Sequence, residues 1–112
     1  AFRDTFARSA AHAAQAEQLL LEIAAQDLQA IGLPLGIDPL RALSRARQAN
    51  LLRHWLGREH GQSASAAQLD ELLDQLQACS TRGHHIDIKV GAGHVRRRGM
   101  HLEWSGLPSA AK

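Results

Sequence analysis

A chain of 112 residues is long enough for one domain with a single modest core, and its 45% hydrophobic content suits a globular protein. No apolar run approaches the ~20 residues that span a bilayer, and the single Cys79 excludes an internal disulfide and favours a reducing, cytoplasmic setting. The net charge of +2 is too small to indicate a partner by itself.

The first predicted element is a long helix over residues 9–31. Ser9 can act as its N-cap, and no Gly or Pro occurs before Gly32. Apolar residues recur at helical spacing and predict one buried stripe: Ala13, Ala16, Leu20, Ile23, Ala24, Leu28 and Ile31.

Asp27 lies on that apolar stripe. A buried carboxylate needs a donor or a cation beside it, so we expect an arginine from the following helices as its partner, with Arg45 as one candidate. A catalytic acid is the alternative, but no second carboxylate or nucleophile is placed to work with Asp27.

A turn-rich connector, GLPLGIDP, leads to two shorter helices. Asp38 followed by Pro39 predicts the start of a short helix that runs to Leu43, because Asp caps a helix and Pro needs no N–H partner in the first turn. Ser44 is the predicted N-cap of the third helix, which we expect to stop at Gly57.

The third helix has two different faces. Ala49, Leu52 and Leu56 are predicted to face the core, with Trp55 on the flank. The opposite side carries a polar stripe that could contact phosphates or ribose, or could be an ordinary solvated face: Arg47, Asn50, His54 and Arg58.

The fourth predicted helix is the most regular. Ser65 and Gln68 have the spacing of a capping box. Four leucines then repeat on one face: Leu69, Leu72, Leu73 and Leu76. Cys79 continues towards this face, where a lone buried thiol is expected to be inert.

Beyond the helices the hydrophobic period changes to two. Ile86, Ile88 and Val90 alternate with polar residues and predict a half-buried strand. A turn at residues 91–93 leads into a second strand from His94, so the two strands form a hairpin.

Gly99 separates this hairpin from a third strand, in which Met100, Leu102 and Trp104 alternate with polar residues. The predicted fold class is therefore α+β: about four helices, one long and one short, followed by a three-stranded antiparallel meander packed on them. We expect one domain over residues 1–104 and a flexible tail over 105–112. Because the chain begins Ala-Phe-Arg rather than with Met, we expect it to come from a longer protein.

The second strand contains three consecutive arginines. Strand alternation with Val95 inward predicts that Arg96 and Arg98 point to the outer side of the sheet, while Arg97 turns to the other face or its rim. There Arg97 needs an acidic partner or a route to solvent.

Charge is unevenly distributed along the chain. Residues 1–80 contain seven arginines and nine acids, whereas residues 81–112 contain six basic residues and two acids. A further cluster without intervening acids consists of Arg41, Arg45, Arg47, Arg53 and Arg58. Such clusters favour a polyanionic partner, nucleic acid first, although solvated surfaces also carry clustered charge.

The residues that catalysis requires are missing. Phosphate-binding, dinucleotide-binding and nucleophile-elbow motifs do not occur, and no nucleophile is paired with a base. His84, His85, His94 and His101 lack the paired spacing of metal ligands. We therefore predict binding rather than catalysis, with no catalytic residue, no metal and no cofactor in this chain.

Four segments in order resemble the substrate-binding middle domain of the bacterial tRNA(Ile)-lysidine synthetase family. They are FARSAAHAAQAEQLLLEIAAQDL (6–28), LRALSRARQANLLRHWL (40–56), SAAQLDELLDQL (65–76) and GHVRRRGMHLEW (93–104). The resemblance implies a domain that helps to place the wobble cytidine of a tRNA(Ile) CAU anticodon for lysine ligation. ATP and lysine would be used by an N-terminal nucleotide-binding domain, whose SGGxDS loop is not matched here.

The resemblance, the charge and the strand pattern together give the candidate tRNA-binding residues: Arg96, Arg98, Arg97, Arg47, His54, Arg58 and Arg53. The family pattern often has an aromatic residue within the arginine run, where this chain has only arginine. Two other classes stay open. One is a dimerisation or protein-interaction module that uses the Ala-rich face of 9–31, and the other is a DNA-binding helix pair.

Overall fold

A computed structural model describes residues 2–79 and 84–106, with side chains from residue 5 onwards. It has the predicted α+β order of helices followed by an antiparallel sheet. The elements are α1 (Phe2–Ile31), β1 (Leu35–Gly36), α2 (Ile37–Arg41), α3 (Arg45–His60), α4 (Ala66–Ala78), β2 (Asp87–Val90), β3 (Gly93–Arg98) and β4 (His101–Ser105). None of the helices in this part of the chain combines the length and apolar character of a membrane span.

The sheet has four strands, not the three that were predicted. Its order is β1-β4-β3-β2, and the added strand comes from the connector after α1. Leu35 pairs with Leu102, both fully buried, and the Ile37 amide donates to the Met100 carbonyl at 2.9 Å. Two residues are too few to show the alternation by which a strand is recognised in a sequence.

The core lies between one face of this sheet and helices α2, α3 and α4. The predicted inward residues of α4 and of β2 are buried, and so are Leu52 and Leu56 of α3. Trp55, predicted on the flank, is also buried and belongs to the same hydrophobic core as Leu52 and Leu56. The tail prediction falls mostly outside the described residues, although Ser105 belongs to β4.

Several predicted helix ends differ from the structure. α1 already begins at Phe2, so Ser9 lies inside the helix and does not cap it. α2 follows Gly36 without any side-chain cap, so the predicted Asp38 cap is wrong. α3 runs through Gly57 to His60, and its C-cap is Gly61, which has the left-handed φ of 62° that favours glycine.

The predicted starts of α3 and α4 are confirmed. Ser44 accepts a hydrogen bond from the Arg47 amide, and Ser65 and Gln68 form both hydrogen bonds of a capping box. Met100, predicted to face the core, is instead 44% exposed, because it belongs to the tight turn before β4. Trp104, also predicted to face the core, packs against it half-buried, and its Nε1 donates to the Val90 carbonyl at 3.0 Å.

Among residues 5–31, the burial of α1 side chains begins at Leu21. Ala24 and Asp27 are buried, but Ala13, Ala16 and Leu20 of the predicted stripe are exposed. The reason is length: α1 has 30 residues and α3 only 16, or about 45 Å against 24 Å at ~1.5 Å per residue. The first half of α1 therefore extends past its partner.

The buried Asp27 has the arginine partner that was expected, but the partner is Arg47 and not Arg45. Arg47 donates from Nε to Oδ2 at 3.1 Å and from Nη2 to Oδ1, and this raises the pKa of the Arg47 guanidinium. Arg45 instead pairs with Asp74 of α4 at 3.0 Å. Nearby, buried Asn50 donates to the Leu20 carbonyl at 2.9 Å. Two polar contacts thus fix α1 on α3.

Replacing Arg47 by Ala should destabilise the protein, because the Asp27 carboxylate would stay buried without its two donors. We expect the unfolding equilibrium constant to rise by at least about tenfold in urea titrations followed by circular dichroism. Arg45→Ala is the matched control and should have little effect, since its ion pairs are exposed. The double variant Asp27→Leu/Arg47→Leu should regain most of the loss. Equal effects of the two Ala variants would contradict this assignment.

Candidate nucleic-acid interface

The face of the sheet that points away from the core carries most of its charge. Gly93, Val95 and Arg97 of β3 alternate towards the core, so His94, Arg96 and Arg98 point outwards. The predicted orientation of the arginine run is therefore confirmed. Neighbouring strands add further groups to this face: Asp87, Lys89, His101 and Glu103. We call these seven residues the outer face.

Cross-strand pairing places each acid of the outer face beside an arginine. Arg96 lies in register between Asp87 and Glu103, and its Nε is 3.3 Å from the Asp87 carboxylate. Arg98 lies 3.3 Å from Glu103 and keeps 80% of its side chain exposed. These exposed pairs are weak and can exchange for another anion.

Asp87 also accepts a hydrogen bond from His94, whose Nδ1 is 2.7 Å from Oδ1. This bond, together with the hydrogen bond and charge of Arg96, lowers the pKa of Asp87 below its ordinary value. Asp87, His94 and Arg96 thus form one coupled cluster, in which a carboxylate is shared by two donors.

Arg97 takes the opposite direction, as predicted. Its guanidinium lies at the rim of the core, where it donates to the carbonyls of Gly99 at 2.8 Å and His84 at 3.0 Å. Cys79 and Met100 sulfur atoms are also within contact distance. These acceptors give Arg97 a structural role in tying α4 and the β3–β4 turn together.

The candidate residues of α3 form a separate surface. Arg47 is bound to Asp27, and His54 donates from Nδ1 to the Asn50 carbonyl at 2.8 Å. His54 and Arg58 line a groove of about 310 Å3 between α1 and α3. The predicted polar stripe thus lies on the side of α3 that faces α1, although Arg47 and Arg58 are exposed, and Arg53 is exposed elsewhere on α3.

The seven predicted residues therefore do not form one continuous site. Arg96 and Arg98 share the outer face, whereas the α3 group lies towards α1. The structure adds Lys89, which alternation in HIDIKV already directs outwards but which the sequence prediction did not include. In residues 2–79 and 84–106 no cluster of His, Cys, Asp and Glu could hold a metal ion.

Comparisons with known proteins agree on one family. The TilS substrate binding domain matches residues 35–102. The chain is 54% identical over 110 residues to a tRNA(Ile)-lysidine synthase of Polaromonas naphthalenivorans, covering 98% of this chain and 33% of that protein. It is 38% identical to the enzyme of that name from Burkholderia pseudomallei over 114 residues, covering 98% and 23% of the two chains. No solved structure matches significantly.

A third relative, a tRNA(Ile)-lysidine synthase of Escherichia coli O157:H7, is 36% identical over 108 residues and covers 92% of this chain and 24% of its own length. The chain thus spans about a third or less of the length of these curated relatives.

Removing His94 should raise the pKa of Asp87 towards its ordinary value, because the largest cause of the lowering is lost. The lowered value means that Asp87 contributes stability above its unfolded pKa and loses it as the pH falls through its folded pKa. NMR titration of the Asp87 carboxyl carbon in His94→Ala should therefore show a higher midpoint than in the wild type. His101→Ala, on the same face, is the control and should leave the midpoint unchanged. An unmoved midpoint in His94→Ala would refute the cluster.

Proposed function

Because this chain belongs to the TilS substrate binding domain family, a part of tRNA(Ile)-lysidine synthase, we propose that it recognises tRNA through the outer face of its sheet. In this role the domain helps to position the wobble cytidine of a CAU anticodon for lysine ligation. The observation that carries the proposal is the exposed set of cations on one face, Lys89, Arg96 and Arg98.

The outer face suits phosphate contacts for two reasons. Arg96 and Arg98 are two residues apart on one strand, or about 7 Å at ~3.4 Å per residue, so they can reach neighbouring phosphates of one RNA strand. Their present partners Asp87 and Glu103 are half-exposed, so a phosphate can replace either carboxylate at low cost. Arg97 is less suited, since several acceptors already hold it.

Arg53 and Arg58 of α3 provide a second set of candidate contacts, because both side chains are exposed. Arg47 and His54 have lower priority. Arg47 uses two of its donors on Asp27, and His54 uses Nδ1 on a backbone carbonyl.

Catalysis, with ATP and lysine, is assigned in this proposal to the nucleotide-binding domain of a longer, cytoplasmic polypeptide. The exposed part of α1 before Leu21 supports a contact with that domain, since Leu19 is 56% exposed and Leu20 is 43% exposed. The rival use of the same face is self-association of two copies. Sedimentation separates the two: a salt-resistant dimer without tRNA affinity would support the rival.

Replacing both Arg96 and Arg98 by Ala should weaken binding of a tRNA carrying the CAU anticodon and flatten its salt dependence. Each lost phosphate contact should reduce the slope of log K against log salt by about 0.7–0.9. Filter binding at several salt concentrations measures both quantities. Arg45→Ala removes an arginine from another surface and serves as the control. Unchanged affinity and slope in the double variant would exclude the outer face.

Replacing Asp87 by Asn should have the opposite effect on affinity. Arg96 would lose its competing carboxylate, so tRNA binding should tighten severalfold at low salt, while the protein stays folded because Asp87 is exposed. The same filter-binding series measures this change. Asp70→Asn, which neutralises an exposed acid on α4, is the matched control. Weaker binding by Asp87→Asn would argue against a phosphate beside Arg96.

A further inference from the structure

A groove lies beside the part of β4 that the short strand β1 does not cover. β1 pairs with β4 at Leu35–Leu102 and Gly36–His101, so within residues 2–79 and 84–106 the rest of β4 has no strand partner on that side. The groove of about 200 Å3 lies there, between β4, the chain before β1 and the last turns of α3. Its walls include Leu33, Pro34, Glu59, His60, Glu103 and Trp104.

Aromatic rings form one side of this groove and are held in place by the fold. The His60 ring lies 5.0 Å from Trp55, edge to face, and 5.2 Å from Trp104 at an angle of 39°. Trp104 is fixed by its hydrogen bond to the Val90 carbonyl. Trp55 is buried, whereas His60 and Trp104 are half-buried and keep surface towards the groove. A flat ligand would therefore meet rings that are already ordered.

The lining of the groove and the surface beside it carry opposite charges. Glu59 and Glu103 are among the residues that line the groove. Their negative charge disfavours a phosphate inside, whereas carboxylates accept hydrogen bonds from amino groups. Glu103 is also the partner of Arg98, the most exposed cation of the outer face. A flat ligand with an amino group in the groove would lie near the negative charge of Glu59 and Glu103. A phosphate on Arg98 would meet a positive charge. Both contacts would therefore be complementary in charge.

We propose that this groove binds one unstacked base of an RNA strand whose phosphate contacts Arg98. Stacking on Trp104 and His60 would hold the base, as aromatic platforms do in other single-stranded RNA sites. The groove is smaller than the ~300–1,000 Å3 clefts that hold drug-sized ligands, which suits a single base. Glu59 and Glu103 favour cytosine, adenine or guanine, which carry amino groups, over uracil. The identification of the ligand as RNA rests on the proposed function, to which this site would add a contact with a base.

The first test observes Trp104 directly. In nitrogen-15 NMR spectra, millimolar cytidine should shift the indole Nε1–H signal of Trp104 and leave that of buried Trp55 nearly unmoved, and uridine should shift it less. Cytidine carries no phosphate, so this result does not depend on Arg96 or Arg98. A Trp104 signal that neither cytidine nor an RNA hairpin with a CAU loop moves would overturn the proposal.

The second test uses variants and the same hairpin. Trp104→Leu should weaken binding at least about fivefold with an unchanged salt slope, since a stacking contact and no phosphate contact is lost. Because Trp104 also supports the fold, Leu33→Glu provides an independent variant at the mouth of the groove, where Leu33 is 52% exposed. Its control is Leu19→Glu, which places the same charge at a leucine 56% exposed on α1. Equal affinities of the two Glu variants would overturn the proposal.

These measurements separate the groove from the proposed function. If the wild type binds the hairpin with the expected salt slope but Trp104 is unmoved and Leu33→Glu equals Leu19→Glu, the groove proposal fails and tRNA recognition stands. If cytidine moves Trp104 but the hairpin does not bind, the groove is a base site and the proposed tRNA role of the outer face fails.

Discussion

The burial of Val95 between its strand neighbours and the helices is the constraint on which the charged surface depends. Because successive side chains of a strand point to opposite faces, the inward position of Val95 determines the directions of the three arginines that follow. Arg96 and Arg98 must point to solvent, and Arg97 must find acceptors at the rim of the core. One valine thus divides a run of identical residues into two kinds, two available to a ligand and one bound to the protein's own backbone.

The helical half of the molecule depends on an analogous polar contact. Asp27 interrupts an apolar stripe, and the contact of its two carboxylate oxygens with Arg47 sets the place at which α1 lies on α3. A purely apolar stripe of alanines and leucines could slide by one turn at little cost, whereas a buried carboxylate has only one position in which both of its oxygens are satisfied. The groove that contains His54 and Arg58 follows from this registration.

Local signals in the sequence predicted the features that need only neighbouring residues. The capping residues Ser44 and Ser65, the four leucines of α4 and the alternation in β2 all depend on such short-range chemistry. Features that depend on distant residues were missed. A two-residue β1 exists only because β4 arrives beside it, and periodicity identified the apolar face of α1 without revealing that α3 is too short to cover it. The aromatic groove unites three distant segments, so no local pattern could indicate it.

The molecule is 59 Å long, and α1 has a long exposed part. The helical twist of this part determines the directions in which its side chains point. A helix converts each residue into about 1.5 Å of advance and 100° of turn. The direction in which its first turns present their side chains is therefore tied, residue by residue, to the anchor at Asp27. Conservative changes of side chain along this part would be tolerated. The loss or gain of one residue, in contrast, would turn every preceding side chain by about 100° around the helix axis. The number of residues between Asp27 and a given position therefore determines the direction of the side chain at that position, whichever residue occupies it.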